Sequence, residues 1–189
     1  MRSEVTAPRR GLVTDALFGR RLEPLLEGLL ALPASQETSA LIAAVSSPRF
    51  TGSADVQALV TRGEAHVKER SRAATYAVVP PGSGGRLQAA MDATVSRYCA
   101  AEPSRHQDIA PYAGHARSGL RTVLELAEHR KIQILIVPSL DHLPPDDPRD
   151  EGNPWTRTGI RDRLGALAVR LIPADHDGVL SRAVWEAVR

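Results

Sequence analysis

The chain has 189 residues, of which 42% are hydrophobic, and this excludes a protein that is disordered over most of its length. Its only cysteine, Cys99, excludes an intramolecular disulfide and suits a reducing compartment. The formal net charge is +2. Residues 1–73 carry ten Arg and Lys against eight Asp and Glu, and residues 74–189 carry fourteen of each. Bulk charge therefore builds in no affinity for nucleic acid, although a local basic face is not excluded.

The sequence predicts neither a secretory signal nor a membrane-spanning segment. The first thirteen residues hold three arginines but no apolar run behind them, so they do not predict a secretory signal. The longest apolar run, residues 132–138, is interrupted by Gln133 and is far too short to cross a bilayer. We therefore expect a cytoplasmic protein that does not associate with membranes.

The first 72 residues predict a helical N-terminal extension. An apolar stripe with helical spacing is formed by Phe18, Leu22, Leu25, Leu29 and Leu32. Pro24 suggests that residues 14–21 form a separate turn, and Pro33 ends the helix. Two more helices are expected, one at residues 37–45 and one from the cap Ser53 onward. The stripe should pack within this extension, on the rest of the chain or across a homodimer.

Residues 73–189 predict an α/β domain. Strands are expected at 74–79, weakly at 108–112, at 132–137 and at 169–173, and helices at 86–99, 118–130, 158–168 and 178–188. Alternating strands and helices predict a mostly parallel sheet flanked by helices. Residues 132–137 are almost continuously apolar, as a central parallel strand is, and residues 74–79 should lie beside them.

Five short segments in this domain form an ordered set. They are Tyr-Ala-Val-Val-Pro at 76–80, Ser-Gly at 118–119, Leu-Asp-His-Leu-Pro-Pro at 140–145, Ala-Val-Arg-Leu-Ile at 168–172 and Asp-Gly-Val-Leu at 177–180. In this order and at these spacings they resemble the catalytic domain of serine recombinases, the resolvases and invertases. The resemblance covers residues 74–189 and implies a resolvase-like fold.

The resemblance also implies a site that has lost its chemistry. In that family a serine attacks the DNA phosphodiester, arginines stabilise the charge on phosphorus, and no metal or other cofactor takes part. Here the nucleophile position falls on Pro80 and the nearby arginine position on Val78. The two later arginine positions fall on His142 and Pro145, while Asp141 is retained.

Two further features bear on this resemblance. Arg121 is a possible remnant of the arginine that follows the family's Ser-Gly. The chain also ends where the family continues into a separate DNA-binding domain, so we expect no sequence-reading part. Ser83, three residues after Pro80, and Ser139, at the end of the central strand, could each lie near the position of the lost nucleophile, but neither replaces the missing arginines.

A glycine-rich loop offers a different site. Gly82, Ser83, Gly84, Gly85 and Arg86 join the first strand to the next helix, where backbone N–H groups can hold a phosphate. The loop lacks the Lys-Ser/Thr ending of a P-loop and the spacing of a dinucleotide fingerprint. A plain βα turn is the simpler interpretation.

Polar residues elsewhere allow three weaker hypotheses. Strand ends and the loops after them carry an acid/base set, namely Ser139, Asp141, His142, Asp175, His176 and Asp177. Glu125 and His129 have the spacing of a metal-binding pair, but a pair without further ligands is usually a solvated helix face. The acidic loop at residues 146–152 would repel DNA phosphates from the degenerate site.

The hypothesis favoured by these observations is a catalytically inactive serine-recombinase-like protein that acts as a binding, assembly or accessory module. Its partner would be another protein or a second copy of the chain, and DNA binding would be weak. One alternative is a DNA-associated accessory protein or a weakly active recombinase. A second alternative is a small-molecule or phosphate-binding α/β domain.

Overall fold

The computed structural model describes residues 11–47, 54–110, 117–146, 153–176 and 178–187, with backbone alone at 11–20, 54, 55 and 185. The chain divides into two compact units, Met1–Val67 and Lys68–Arg189. We call the first the helical unit and the second the α/β unit. No helix in the described part of the chain is long and apolar enough to cross a membrane.

The helical unit contains α1 (Gly11–Ala31), α2 (Gln36–Val45) and most of α3 (Ala54–Arg70). Pro24 lies inside an unbroken α1, so the predicted separate turn at residues 14–21 is wrong. A proline within a helix removes one backbone hydrogen bond. That loss is tolerated here because the turn after Pro24 buries Leu25 and Leu29.

The leucine stripe packs inside the helical unit, which is the first of the three packing modes considered above. Its core consists of Leu25, Leu29, Leu41, Val45, Val56 and Val60. Phe18 belongs to the residues of which only the backbone is described. Ser35 caps α2 by accepting a hydrogen bond from the Thr38 amide at 3.1 Å.

The α/β unit is built on an all-parallel sheet of four strands: β1 (Ala73–Val79), β2 (Ser104–Ile109), β3 (Ile134–Val137) and β4 (Arg170–Pro173). Their order in the sheet is β2-β1-β3-β4, so the predicted α/β class and the pairing of β3 with β1 are confirmed.

Two strand boundaries differ from the prediction. The second strand begins at Ser104 and ends at Ile109, earlier than the expected 108–112. It lies at the edge of the sheet and most of its side chains are exposed, so it lacks an apolar period. β3 begins at Ile134 rather than residue 132, because Gln133 instead hydrogen-bonds Arg72 through its side chain and its amide.

Helices cover both faces of the sheet. α4 (Gly85–Tyr98) and α7 (Val179–Glu186) cover one face, where Leu87, Met91 and Val184 pack on Ile136. α5 (Ser118–Glu128) and α6 (Arg157–Ala166) cover the other, where Leu124 and Ile160 join Leu135 and Tyr76 in a second apolar layer. The result is a three-layer α/β/α arrangement.

The strand order creates a crevice between β1 and β3. From β1 the chain moves outward to β2 on one side of the sheet, and from β3 it moves outward to β4 on the other side. Parallel sheets bind ligands at such a switch point. β1 stays paired with β2 as far as Val79, but with β3 only through Ala73–Thr75. The carboxyl end of β1 therefore has its β3-facing side free for another partner.

Candidate functional site

An open cleft of about 210 Å³ lies beside this switch point. Its lining residues come from four places, namely the end of β1, the start of α5, a 3₁₀ turn at Leu140–His142 and the start of α7. They are Val78, Arg117, Asp141, His142, Gly178, Ser181 and Arg182. Three of them, Val78, Asp141 and His142, were predicted from the resemblance to share one degenerate site, and the fold does bring them together.

The His142 side chain occupies the place that β3 leaves open beside β1. Its Nδ1 accepts a hydrogen bond from the Val78 amide at 3.1 Å, and its Nε2 lies 3.3 Å from the Ser181 hydroxyl. The residue is 3% exposed. One imidazole thus connects β1, the 3₁₀ turn and α7 across the floor of the cleft.

Burial shifts the protonation equilibrium of His142 toward the neutral form. It lowers the pKa of the imidazole because the cation loses its hydration, and Arg117 acts in the same direction. The carboxylates of Asp141 and Asp175 oppose the shift. The geometry independently requires the neutral form, because an imidazolium has no lone pair with which to accept the Val78 N–H.

Arg117 is a cleft residue that sequence reasoning missed. Its guanidinium donates to the His142 carbonyl oxygen at 3.0 Å and so connects the start of α5 to the 3₁₀ turn. The sequence had singled out Arg121, four positions later. Arg121 is exposed, and its guanidinium carbon lies 5.8 Å from the centre of the Trp155 ring, so it is not among the cleft residues.

A buried carboxylate fixes the start of α5 and therefore the position of Arg117. Asp108, at the end of β2, accepts hydrogen bonds from the Gly119 and Leu120 amides at 2.9 and 3.3 Å and from the Tyr76 hydroxyl at 3.0 Å. A Cβ at position 119 would lie 2.9 Å from the Gln107 carbonyl oxygen. This close approach explains why the second residue of the helix is a glycine.

Tyr76 completes this buried group. Burial raises the pKa of its hydroxyl well above the ordinary value, and the neighbouring Asp108 charge adds to the shift while Arg117 opposes it. The phenol is therefore a permanent hydrogen-bond donor to Asp108, which holds a carboxylate in an otherwise apolar layer. Sequence analysis did not anticipate this pair, because the strand expected at 108–112 placed Asp108 at its start rather than near its end.

The start of α7 forms the opposite wall of the cleft. Asp175 accepts a hydrogen bond from the Ser181 amide at 2.9 Å, so it caps this helix. Gly178 adopts a left-handed conformation, with φ at 66°, that glycine tolerates best. His176 is exposed, and Asp177 lies outside the described residues.

Two acidic residues, one in the 3₁₀ turn and one after it, are also paired. Asp141 is 79% exposed and forms an ion pair of 3.1 Å with Arg157 on α6. Asp146 accepts hydrogen bonds from the amide and hydroxyl of Thr158, which lower the pKa of its carboxyl. The rest of the predicted acidic loop, residues 147–152, lies outside the described part of the chain.

Other predicted site residues lie away from the cleft lining. Pro80 is buried just after β1, Pro145 is exposed, and neither lines the cleft. In the loop of Gly82, Ser83, Gly84, Gly85 and Arg86, the Ser83 amide and hydroxyl both donate to the Pro80 carbonyl, at 3.2 and 2.8 Å. The loop thus closes on itself as a turn, and Gly84 supplies no side-chain cap to α4.

Three polar residues weighed above have no shared site. Ser139 is buried at the end of β3, and its hydroxyl has no hydrogen-bond partner among the described residues. Glu125 and His129 are exposed at the end of α5. Within the described ranges, no group of three or more His, Cys, Asp or Glu side chains could hold a metal ion. Cys99 is buried, which raises the pKa of its thiol to about 11 and makes it an unreactive core residue.

The contact between His142 and Ser181 is not the pair of a serine hydrolase. Such a pair needs Nε2 as the acceptor of the hydroxyl proton and a carboxylate on Nδ1. Here Nδ1 accepts the Val78 N–H, so the neutral ring carries its proton on Nε2 and donates toward Ser181. His142 therefore cannot act as a general base for Ser181 in this arrangement.

Comparisons with protein-family models, curated proteins and solved structures found no match to this chain.

Proposed function

We propose that this chain is a catalytically inactive serine-recombinase-like module that binds a partner instead of cutting DNA. One observation carries the proposal: the neutral imidazole of His142 occupies the switch-point crevice, bonded to the Val78 amide. In an active site that cleaves a phosphodiester, this place would need a nucleophile or a cation. Here it holds a neutral structural bridge.

The residues around the bridge support loss of chemistry. Position 80 is a buried proline and position 78 an apolar valine, so neither supplies a hydroxyl or a positive charge. The cleft hydroxyl, Ser181, faces a hydrogen-bond donor. Oxyanion stabilisation is typically worth about 3–4 kcal/mol per donor, and a single substitution would not restore several donors and a nucleophile together.

The cleft nevertheless retains features of a binding site. Arg117 and Arg182 line it, and the Asp141 carboxylate is paired with Arg157. Its volume of about 210 Å³ suits a single acidic group rather than a duplex. Because residues 74–189 have no net charge, we favour an acidic side chain of a protein partner over DNA, for which an excess of basic charge is typical.

The chemical part of the proposal is tested by incubation with supercoiled DNA, a detergent quench and a search for protein-linked DNA ends. We expect no adduct with the wild-type chain or with Pro80→Ser. An adduct that disappears in Ser181→Ala, Ser83→Ala or Ser139→Ala would contradict the proposal, because it would identify a working nucleophile.

The binding part is tested by fluorescence anisotropy with a duplex DNA at two salt concentrations. We expect weak binding that Arg117→Gln hardly changes. Tight binding that falls steeply with salt would favour the DNA-associated accessory protein instead. Thermal stabilisation by a nucleotide that is lost in Arg86→Gln would favour the glycine-rich loop as a phosphate site.

A further inference from the structure

We propose that the cleft binds an oxyanion together with one proton, which His142 takes up from solvent onto Nδ1 as its bond to Val78 breaks. This inference rests on the proposed function, because it assigns regulation to the same cleft. The neutral and the protonated forms of His142 cannot make the same hydrogen bond, because Nδ1 accepts in the neutral form and donates in the protonated form.

The charged groups that face His142 come from every element packed around it. Asp141 lies on its own 3₁₀ turn, Arg117 precedes α5, Asp175 precedes α7, and Arg182 lies on α7. From β1 comes the Val78 amide, and behind it the un-ionised Tyr76. Asp177 lies outside the described residues. When no ligand is bound, burial and Arg117 lower the pKa of the ring, and the hydrogen bond from the Val78 amide requires its neutral form.

A bound oxyanion reverses this balance. It would offset the positive charge of Arg117, and it would place an acceptor oxygen beside the ring. The imidazolium then has a favourable partner, but it cannot accept the Val78 N–H. The ring must therefore turn its new Nδ1–H toward the anion, and the link between β1 and the 3₁₀ turn is released.

Proton uptake makes binding depend on pH. Wherever the free protein is neutral at His142 and the complex is protonated, the affinity for the anion falls tenfold for each pH unit of increase. A partner's acidic group would accordingly bind more tightly as the pH falls toward and below the ordinary histidine range. The link between β1 and the 3₁₀ turn would be present in the free protein and released when the anion is bound.

Isothermal titration calorimetry of the full chain near pH 7 tests the proposal. Sulfate is the first probe because its own charge is constant between pH 5 and 8, and acetate is the carboxylate probe. Titrations in buffers with different heats of ionisation count the protons taken up. We expect uptake of up to one proton per anion in the wild-type chain and in His129→Gln, an exposed histidine away from the cleft.

His142→Gln and Arg117→Gln divide the outcomes. His142→Gln should bind sulfate without proton uptake, and Arg117→Gln should lose most of the binding. Binding without proton uptake in the wild-type chain, or equal uptake in His142→Gln, would overturn the further inference and leave the proposed cleft intact. If neither anion binds the wild-type chain, the cleft assignment itself is wrong. Nitrogen-15 spectra of histidine-labelled wild-type protein, with and without sulfate, read the Nδ1 state without any substitution.

Discussion

The helical unit and the α/β unit each bury a histidine against a hydroxyl. His66 lies 3.0 Å from Thr38 Oγ1 in the first, and His142 lies 3.3 Å from Ser181 Oγ in the second. The partner of Nδ1 is an acceptor in His66 and a donor in His142. His66 Nδ1 lies 3.6 Å from a Glu37 oxygen, whereas His142 Nδ1 accepts a backbone N–H.

This difference assigns opposite neutral tautomers to the two rings. A carboxylate near Nδ1 favours a proton there, so Nε2 of His66 accepts the Thr38 hydroxyl. The Val78 amide leaves His142 with its proton on Nε2. Burial and a nearby hydroxyl therefore do not define the role of a histidine, since the partner of the second nitrogen decides whether the ring can act as a base. His66 joins α2 to α3, while His142 forms the floor of a cleft.

The largest expected effect is that of His142→Ala. The substitution leaves the Val78 N–H buried without a partner and opens a cavity at the crevice, so the free energy of unfolding should fall by about 2–4 kcal/mol. Urea denaturation measures the loss, and hydrogen exchange should locate it in β1 and α7. A loss below about 0.5 kcal/mol would show that the imidazole is not a structural bridge.

His66→Ala should cost about 1–3 kcal/mol, because it leaves the Thr38 hydroxyl buried without its imidazole. Hydrogen exchange should place the loss in α2 and α3. A double-mutant cycle with Thr38→Val isolates the pair, and we expect a coupling energy of about 1 kcal/mol. A coupling near zero would remove the parallel between the two histidines.

The third expected effect is a pH dependence of the α/β unit. Because the folded-state pKa of His142 is lowered, its contribution to stability is present above the ordinary histidine pKa of about 6.5 and is lost as the pH falls below it. Hydrogen exchange of β1 and α7 peptides at several pH values measures this loss. His142→Gln should reduce it, leaving the part that comes from His106 on β2, whose pKa burial also lowers, and His66→Gln should leave it in place.

The smallest effect is spectroscopic. At alkaline pH, nitrogen-15 shifts should show a protonated Nε2 for His142 and a protonated Nδ1 for His66, since their neighbours require opposite tautomers. The same tautomer in both rings would contradict the comparison on which the other predictions rest.

Much of the fold follows from sequence periodicity. β3 is apolar on both faces because both faces are covered, and α5 carries Leu120, Val123, Leu124 and Ala127 on one side. The bounds of β2 were harder to predict from the sequence, because an exposed edge strand has no apolar alternation to detect. The sequence also did not show that α1 continues through Pro24, since whether a helix continues past a proline depends on what its next turn buries.

The sequence by itself determined which chemical groups are absent: Pro80 has no hydroxyl, and Val78 has no charge. It also indicated that Val78, Asp141 and His142 would share a site. Tertiary structure alone decided that Arg117 rather than Arg121 reaches this site, because Asp108 and Tyr76 fix the start of α5. It also decided which nitrogen of His142 accepts a hydrogen bond. That choice depends on an amide 64 residues away, which is available because β1 and β3 stop pairing after Thr75.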